Sequence, residues 1–306
     1  MKDILVLGGN GYIGSRLRQV LANNYNVDSV DVGWYNSNSG SKIKDYHDLT
    51  QEELSKYDTV VVLAGHSSVK SCLGDVKSPW VNNVTNFTEL LDKLPSSTTV
   101  IYASSSSVYG NSAPGEVHKE QVKHFIPVNH YDLTKYTLDL HAQSLIEQGR
   151  NIIGLRFGTV NGWSPNLRVD VMINSMYSTA IVMNEIVITN KHINRALLGL
   201  EDLCRAIETI IEQPQAGIYN LSSFNTTVGE IAEVVSTKLA VPIVDKGNTP
   251  NVYDFALDTT LFETTYGFTF KETPATIVDS LINGYTHSRV ERRDDYINYD
   301  WKTING

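Results

Sequence analysis

Unbroken apolar runs of strand length alternate with amphipathic stretches of helical period through the first half of the chain. Ile4 to Leu7, Asp58 to Leu63, Thr98 to Ala103 and Asn151 to Arg156 are such runs. A run apolar on both faces suits a strand of a parallel sheet covered by helices. Tyr25 to Asp31 reads as a further strand, and Ile43 to Leu49 as a short one. Between them lie helical patterns. Leu17, Val20 and Leu21 share a face, with Arg16 and Arg18 off it. Gln51 to Lys56 follows Thr50, a good N-cap. Trp80 to Leu94 puts Val81, Val84, Phe87, Leu90, Leu91 and Leu94 on one broad face, stopped by Pro95. A long helix from Tyr131 to about Gln148 ends at Gly149. This alternation predicts an α/β fold, a doubly wound parallel sheet.

Beyond Gly162 the regularity breaks. Trp163 to Arg168 reads as a loop, Val171 to Ile181 as a helix and Val182 to Thr189 as a strand. Arg195 to Leu200 is extended and leads into a helix, Glu201 to Glu212. A strand at Gly217 to Leu221 and a helix opening on Thr227 follow. Val241 to Gly284 mixes short strands with a helix at Thr276 to Asn283, and His287 to Gly306 is a polar surface tail. The division is a sheet domain at 1–165, with 194–222 adding back to it, and a smaller mixed α/β domain at 166–306.

Composition narrows the partners. The 306 residues carry a formal net charge of −9 without a block of like charge. Nucleic acid and anionic membranes are poor partners for such a surface. No apolar run has membrane-spanning length, and Met1 leads directly into a strand, which argues against a signal peptide. The two cysteines, Cys72 and Cys204, have no metal-ligand spacing. The expectation is a soluble cytoplasmic protein without a metal.

The chemistry starts at Gly8, Gly11 and Gly14, between the first strand and the first helix. Glycines there let a pyrophosphate approach backbone N–H groups at a helix N-terminus. Asp31 ends the second strand, where a carboxylate accepts both ribose hydroxyls of an adenosine and repels a further phosphate; the reading is NAD. Four serines, Ser104 to Ser107, sit at the C-terminal end of a parallel strand, where such sheets place ligands. Tyr131 and Lys135 follow, one turn apart on one helix face. With 16 tyrosines in the chain that spacing means little by itself, but its place after the serine strand gives it weight.

Taken in order, Gly8-Gly-Asn-Gly-Tyr-Ile-Gly14, Asp31, Leu63-Ala-Gly65, Asn82-Asn-Val84, Ser104-Ser-Ser-Ser-Val-Tyr-Gly110, Tyr131-x-x-x-Lys135, Leu155-Arg156 and Arg195-x-x-x-x-Leu-x-Asp202 resemble the extended short-chain dehydrogenase/reductases, in their NAD-dependent nucleotide-sugar epimerase/dehydratase branch. Gly217 to Leu221 and Gly267-Phe268 fit late positions of the same pattern. The resemblance implies a Rossmann-type sheet with NAD as cofactor. It makes Tyr131 the catalytic acid/base, Lys135 the residue that holds the nicotinamide ribose and lowers the phenol pKa, and Ser105 the donor to the reacting sugar oxygen. Tyr12 and Ile13 would line the pyrophosphate, Asp45 and Tyr46 the adenine, and Leu63, Ala64, Gly65, Ser67 and Asn83 the middle of the cofactor, with Ser67 also facing substrate. Arg195 would grip the substrate diphosphate. Relatives of this kind form dimers through helices corresponding to 80–94 and 132–148, where Val81, Val84, Leu138 and Leu145 would supply apolar surface, although burial against the sheet explains these four equally well.

Departures from the pattern select among reactions. Dehydratases of the branch carry an Asp-Glu pair where this chain has Ser106 and Ser107, so elimination of water is disfavoured. Many 4-epimerases read Arg-Tyr-Phe-Asn where this chain reads Arg156-Phe-Gly-Thr159. A second phosphate-binding arginine is often found near 250, where Asn248, Asn251 and Tyr253 stand. Arg168 and Asn174, around an unusual Ser164-Pro-Asn-Leu-Arg168-Val-Asp170 loop, are candidates for the missing contacts. The leading expectation is a nucleotide-sugar 4-epimerase. A nucleotide-sugar 4-dehydrogenase or keto-sugar reductase stays open, and a dehydratase or a non-catalytic NAD-binding module is disfavoured.

Overall fold

The computed structural model describes residues 1–34, 40–110, 116–121, 127–250 and 252–285. The tail from 287 on, Asn251 and most of the loop after Trp34 lie outside the described residues.

The first half alternates strand and helix: β1 (Asp3–Leu7), α1 (Tyr12–Leu21), β2 (Asn26–Asp31), β3 (Lys42–Ile43), α2 (Gln51–Leu54), β4 (Thr59–Val62), α3 (Lys77–Trp80), α4 (Asn86–Lys93), β5 (Thr99–Ser105), β6 (Val117–His118), α5 (His130–Glu147) and β7 (Ile152–Phe157). After it come β8 (Thr159–Asn161), α6 (Met172–Met183), β9 (Ile186–Ile188), β10 (Asn194–Gly199), α7 (Leu200–Glu212), β11 (Gly217–Leu221), β12 (Phe224–Thr227), α8 (Val228–Leu239), β13 (Ile243–Asp245), β14 (Ala256–Leu257), α9 (Thr260–Tyr266) and α10 (Pro274–Tyr285).

Seven strands form one parallel sheet in the order β11-β7-β5-β4-β1-β2-β3. Every residue of β4 and β7 is buried, as their continuous apolar runs require. One face packs Leu17 and Leu21 of α1 with Leu203, Ile207 and Ile210 of α7. The other packs Phe87, Leu90 and Leu91 of α4 with Leu138 and Ala142 of α5. A separate apolar cluster joins α6, α8 and α10, through Ile173, Ile231 and Ile277 among others. The strand order reverses between β1 and β4, and at their C-terminal ends a doubly wound sheet has its binding crevice. No helix among the described residues is long and apolar enough to cross a membrane.

Three expectations are corrected. The short strand at 43–49 is limited to Lys42–Ile43; a 3-10 turn follows at Tyr46–Asp48, with Asp45 accepting from the His47 N–H at 2.9 Å. The helix at 80–94 is interrupted by a π-turn at Val81–Thr85, which carries Asn83 and Val84 inward. Val182 and Met183 finish α6, so the strand there is only Ile186–Ile188. Of the stretch 194–222, α7 and β11 return to the large sheet, whereas β10 joins β8 and β12 in a second sheet of three strands.

Candidate active site

The glycine turn is fixed by close backbone approach. Gly8 takes φ +85°, and a Cβ there would lie 2.7 Å from the Ala64 nitrogen. A Cβ on Gly14 would lie 2.2 Å from the Gly8 carbonyl oxygen. On Gly11 a Cβ would meet, among the described residues, only the Gly8 oxygen, at 3.3 Å, so on their side the turn stays open. Gly11 is the N-cap of α1 and supplies no capping side chain, and the first turn holds no acidic residue. Its free N–H groups and the helix dipole thus favour an anion, which fits the pyrophosphate of NAD. Asp31 accepts from the N–H groups of Asn10 (2.9 Å) and Gly33 (2.7 Å), which orients its carboxylate beside the turn. Arg18, which the sequence reading left aside, donates to the Gly9 carbonyl and the Ser41 hydroxyl, both at 3.2 Å, and lies near Asp31.

Ser105 ends β5, and its hydroxyl accepts from the Ser107 N–H at 3.2 Å. Asn129 caps α5 by accepting from the Asp132 N–H at 3.0 Å, which fixes the turn carrying Tyr131. One turn on, Lys135 is buried; its Nζ donates to the Ala103 carbonyl at 2.9 Å and sits 5.8 Å from the centre of the Tyr131 ring. Burial pushes the Lys135 ammonium down to about 8, against the attraction of Asp139. Burial also pushes the Tyr131 phenol up, opposed first by its hydrogen bond with Ser105 and then by the charge of Arg168. Loss of water outweighs the neighbouring charges, so Tyr131 rests as the neutral phenol.

The triad faces a cavity of about 390 Å³, which Gly8, Gly11, Tyr12, Ile13, Gly14, Leu63, Gly65, Ser67, Arg168 and Arg195 also line. Arg168 forms a fork on Asp170 (2.7 and 3.1 Å) and reaches the Ser67 carbonyl and hydroxyl at 3.4 and 3.3 Å, joining two loops across the cavity. Arg195, on β10, has its Nε buried with no hydrogen-bond partner, and burial lowers its pKa. A desolvated guanidinium on a cavity wall is set for an anion.

Other residues stand behind the wall. Asn174 is one of them. It is buried, accepts from the Gly162 N–H at 2.9 Å and donates to Tyr12 Oη (3.1 Å) and the Arg168 carbonyl (2.8 Å). With both ends bonded to protein it holds the loop that carries Arg168. Asn83 likewise brackets His66, accepting from its N–H at 2.8 Å and donating to its carbonyl at 3.2 Å, and donates to Thr134. Tyr46 is buried in the core with its hydroxyl on the Asn82 carbonyl at 3.2 Å, and Asp45 caps the turn that Tyr46 opens. Ala64 packs against Gly8. Sequence reasoning gave no role to Asp170, Lys70 or Phe255, which share the cavity wall; only the Arg168-x-Asp170 spacing offered a signal.

The profile of the NAD dependent epimerase/dehydratase family matches residues 4–222. An ADP-L-glycero-D-manno-heptose-6-epimerase of Brachyspira hyodysenteriae (strain ATCC 49526 / WA1) is 29% identical over 182 residues, 53% of this chain and 56% of that one. The match thus spans little more than half the length of that relative. In solved structures, MoeE5 in complex with UDP-glucuronic acid and NAD superimposes with TM-score 0.81 at 23% identity, covering 94% of this chain and 100% of that one. A UDP-N-acetylglucosamine 4-epimerase from Methanobrevibacter ruminantium M1 gives 0.80 at 22%, covering 92% and 98%. At such identities these two show a shared fold, and the family profile carries the assignment. The chain belongs to the NAD dependent epimerase/dehydratase family, whose cofactor is NAD.

Proposed function

We propose that the protein is a nucleotide-sugar 4-epimerase that retains NAD through its cycle. The observation that carries this reading is the convergence of Ser105, Tyr131 and Lys135 on one cavity with the desolvated Arg195. Arg195 grips the diphosphate of the substrate. Ser105 donates to the C4 hydroxyl oxygen and holds it against Tyr131. Tyr131, once ionised, takes the hydroxyl proton and later returns it. Lys135 favours that ionised form when the positive nicotinamide adds its charge. NAD, held by the glycine turn and Asp31, would supply the hydride acceptor and donor for that carbon, and turning of the keto sugar within the cavity would then invert C4. Ser106 and Ser107, both buried, occupy the places where elimination of water needs an acid pair.

Denaturing the purified protein and quantifying released dinucleotide tests this directly. About one NAD or NADH per chain is expected, with turnover of UDP-glucose, UDP-N-acetylglucosamine or UDP-glucuronic acid without added cofactor. An empty protein that turns over only with added cofactor overturns retention. It would favour a 4-dehydrogenase or keto-sugar reductase. Thr159 on the cavity wall, in place of the asparagine many epimerases carry, is the feature that favours this second reading.

The assembly we propose is a cytoplasmic homodimer. Of the two readings of its apolar residues, Val84 and Leu138 take the sheet-facing one, because both are buried within the chain. Trp80 and Leu140, 42% and 56% exposed, are the apolar side chains on the outer faces of those helices. Light scattering of the purified protein at micromolar concentration reads the mass.

A further inference from the structure

The segment 252–257 crosses from the C-terminal part over the catalytic ends of β5 and α5. Ala256–Leu257 pairs in parallel with Val117–His118. Phe255 meets His118 edge-on at 6.0 Å, and His118 stacks on Tyr109, in the turn that follows Ser105, at 4.7 Å. Tyr253 reaches the other catalytic element. Its hydroxyl lies 3.1 and 2.9 Å from the two carboxylate oxygens of Asp132, and the Asn129 amide donates to that hydroxyl at 2.7 Å. The same amide donates to Asp132 at 2.9 Å, while the Asn129 side-chain oxygen caps the helix.

This exceeds what a helix start requires. An N-cap needs one side-chain acceptor, which Asn129 alone provides. Asp132 is wholly buried directly after Tyr131, and a buried carboxylate is costly unless donors surround it. The Tyr253 ring, meanwhile, lies on the cavity wall with Tyr131. The first turn of a helix is its least constrained part, and here it carries the reacting group.

We propose that Tyr253 is the positioning residue of the catalytic tyrosine: its hydroxyl, bonded to Asp132 and Asn129, seats the first turn of α5 so that the Tyr131 phenol faces Ser105. The proposal rests on the reading of Tyr131 as acid/base. The C-terminal part thereby does more than hold substrate; it sets the geometry of the proton transfer. The groups that face Tyr131 are Ser105, Arg168, Cys72, Asp132, Tyr253 and the Lys135 ammonium. Among them Tyr253 donates to Asp132 and draws its negative charge away from the phenol. Without that hydroxyl the charge is less screened and the turn is looser, and both effects disfavour the Tyr131 phenolate.

The test uses the NAD-loaded protein and reads Tyr131 ionisation by absorbance near 295 nm, each variant against its own Tyr131→Phe derivative. Tyr253→Phe keeps the ring, and Asn129→Ser keeps a capping oxygen while losing the amide. Both are expected to raise the Tyr131 midpoint by about half a pH unit, a threefold change in ionisation constant. NAD affinity should stay within about twofold. With whichever UDP-sugar is turned over, kcat should fall about tenfold at nearly constant KM, the mark of an interaction made in the transition state. An unmoved midpoint in both variants with normal NAD binding overturns the proposal. So does loss of NAD affinity in step with the midpoint, which would mark a general structural role. If Tyr253→Phe does not fold, Asn129→Ser decides alone. Failure of the acid/base reading looks different, because Tyr131→Phe would then leave turnover intact.

Discussion

The two sides of the cavity are built by different means. The side proposed for the cofactor is mostly main chain: a glycine turn, open N–H groups of α1 and one carboxylate at a strand end. On the side proposed for the substrate stand two long side chains: Arg168, forked on Asp170 two residues along and reaching Ser67 across the cavity, and Arg195, whose Nε is buried with no hydrogen-bond partner. Ser164 donates to the Tyr12 carbonyl at 2.6 Å and Asn166 to the Asn10 carbonyl at 2.7 Å, so the substrate loop is latched onto the glycine turn itself. A main-chain site tolerates almost no added atom. A side-chain site tolerates substitution and loses only what that side chain contributed.

Gly14→Ala breaks the comparison most severely. Its methyl would stand 2.2 Å from the Gly8 oxygen, with the Gly9 Cα at 2.9 Å, and neither backbone can move without opening the turn. NAD binding by calorimetry should fall more than about a thousandfold, or the domain should not fold. Tyr131→Phe comes next and separates chemistry from binding. Loss of the acid/base should cost about 10² to 10⁴ in kcat. NAD affinity should stay within about twofold, since the phenol is not part of the anion site. A residual rate within tenfold of wild type would end the assignment of Tyr131.

Arg195→Met sharpens the contrast. Removing charge-assisted hydrogen bonds to a diphosphate should raise KM for a UDP-sugar about 10- to 100-fold, at roughly 1.5–3 kcal/mol. Because its Nε is buried without a partner, the same change should hold or raise the melting temperature. A lower melting temperature would mean that the guanidinium is structural.

The same division explains what was legible from the chain alone. Continuous apolar runs and glycine spacing report local requirements, so the parallel sheet and the phosphate turn could be read directly. The roles of Asn174 and Tyr46 depend on which side chain meets which loop over long separations. Asn174 lies 162 positions from the Tyr12 hydroxyl it supports, and no local pattern encodes that meeting. The π-turn at Val81–Thr85 was hidden because its apolar spacing is close enough to helical. Asp202, quoted only as part of a motif, proves to join the halves: its carboxylate accepts from the N–H groups of Lys271 (3.0 Å) and Glu272 (2.9 Å) and from Ser223 (2.7 Å).

That joint gives the smallest effect and the one with a pH signature. Glu272 returns the bond, accepting from the N–H groups of Glu201 (2.9 Å) and Asp202 (3.1 Å) at the start of α7. Burial, with Asp202 and Glu201 nearby, pushes its carboxyl from 4.5 up to about 7. A carboxyl raised in the folded state keeps its proton there after the unfolded chain has released it. Its contribution to stability is fully present below about 4.5 and is lost as pH rises through about 7. Glu272→Gln has no proton to lose and retains an acceptor for the helix N–H groups. It forgoes the attraction of a negative charge to the helix N-terminus, about 0.3–1 kcal/mol, but avoids a larger cost of ionisation. Chemical denaturation at pH 8 should show the variant more stable by about 1–2 kcal/mol, with the gap closing towards pH 5. A gap of the same size at both pH values would show that Glu272 does not titrate in this range, and that the joint holds the halves together independently of its charge.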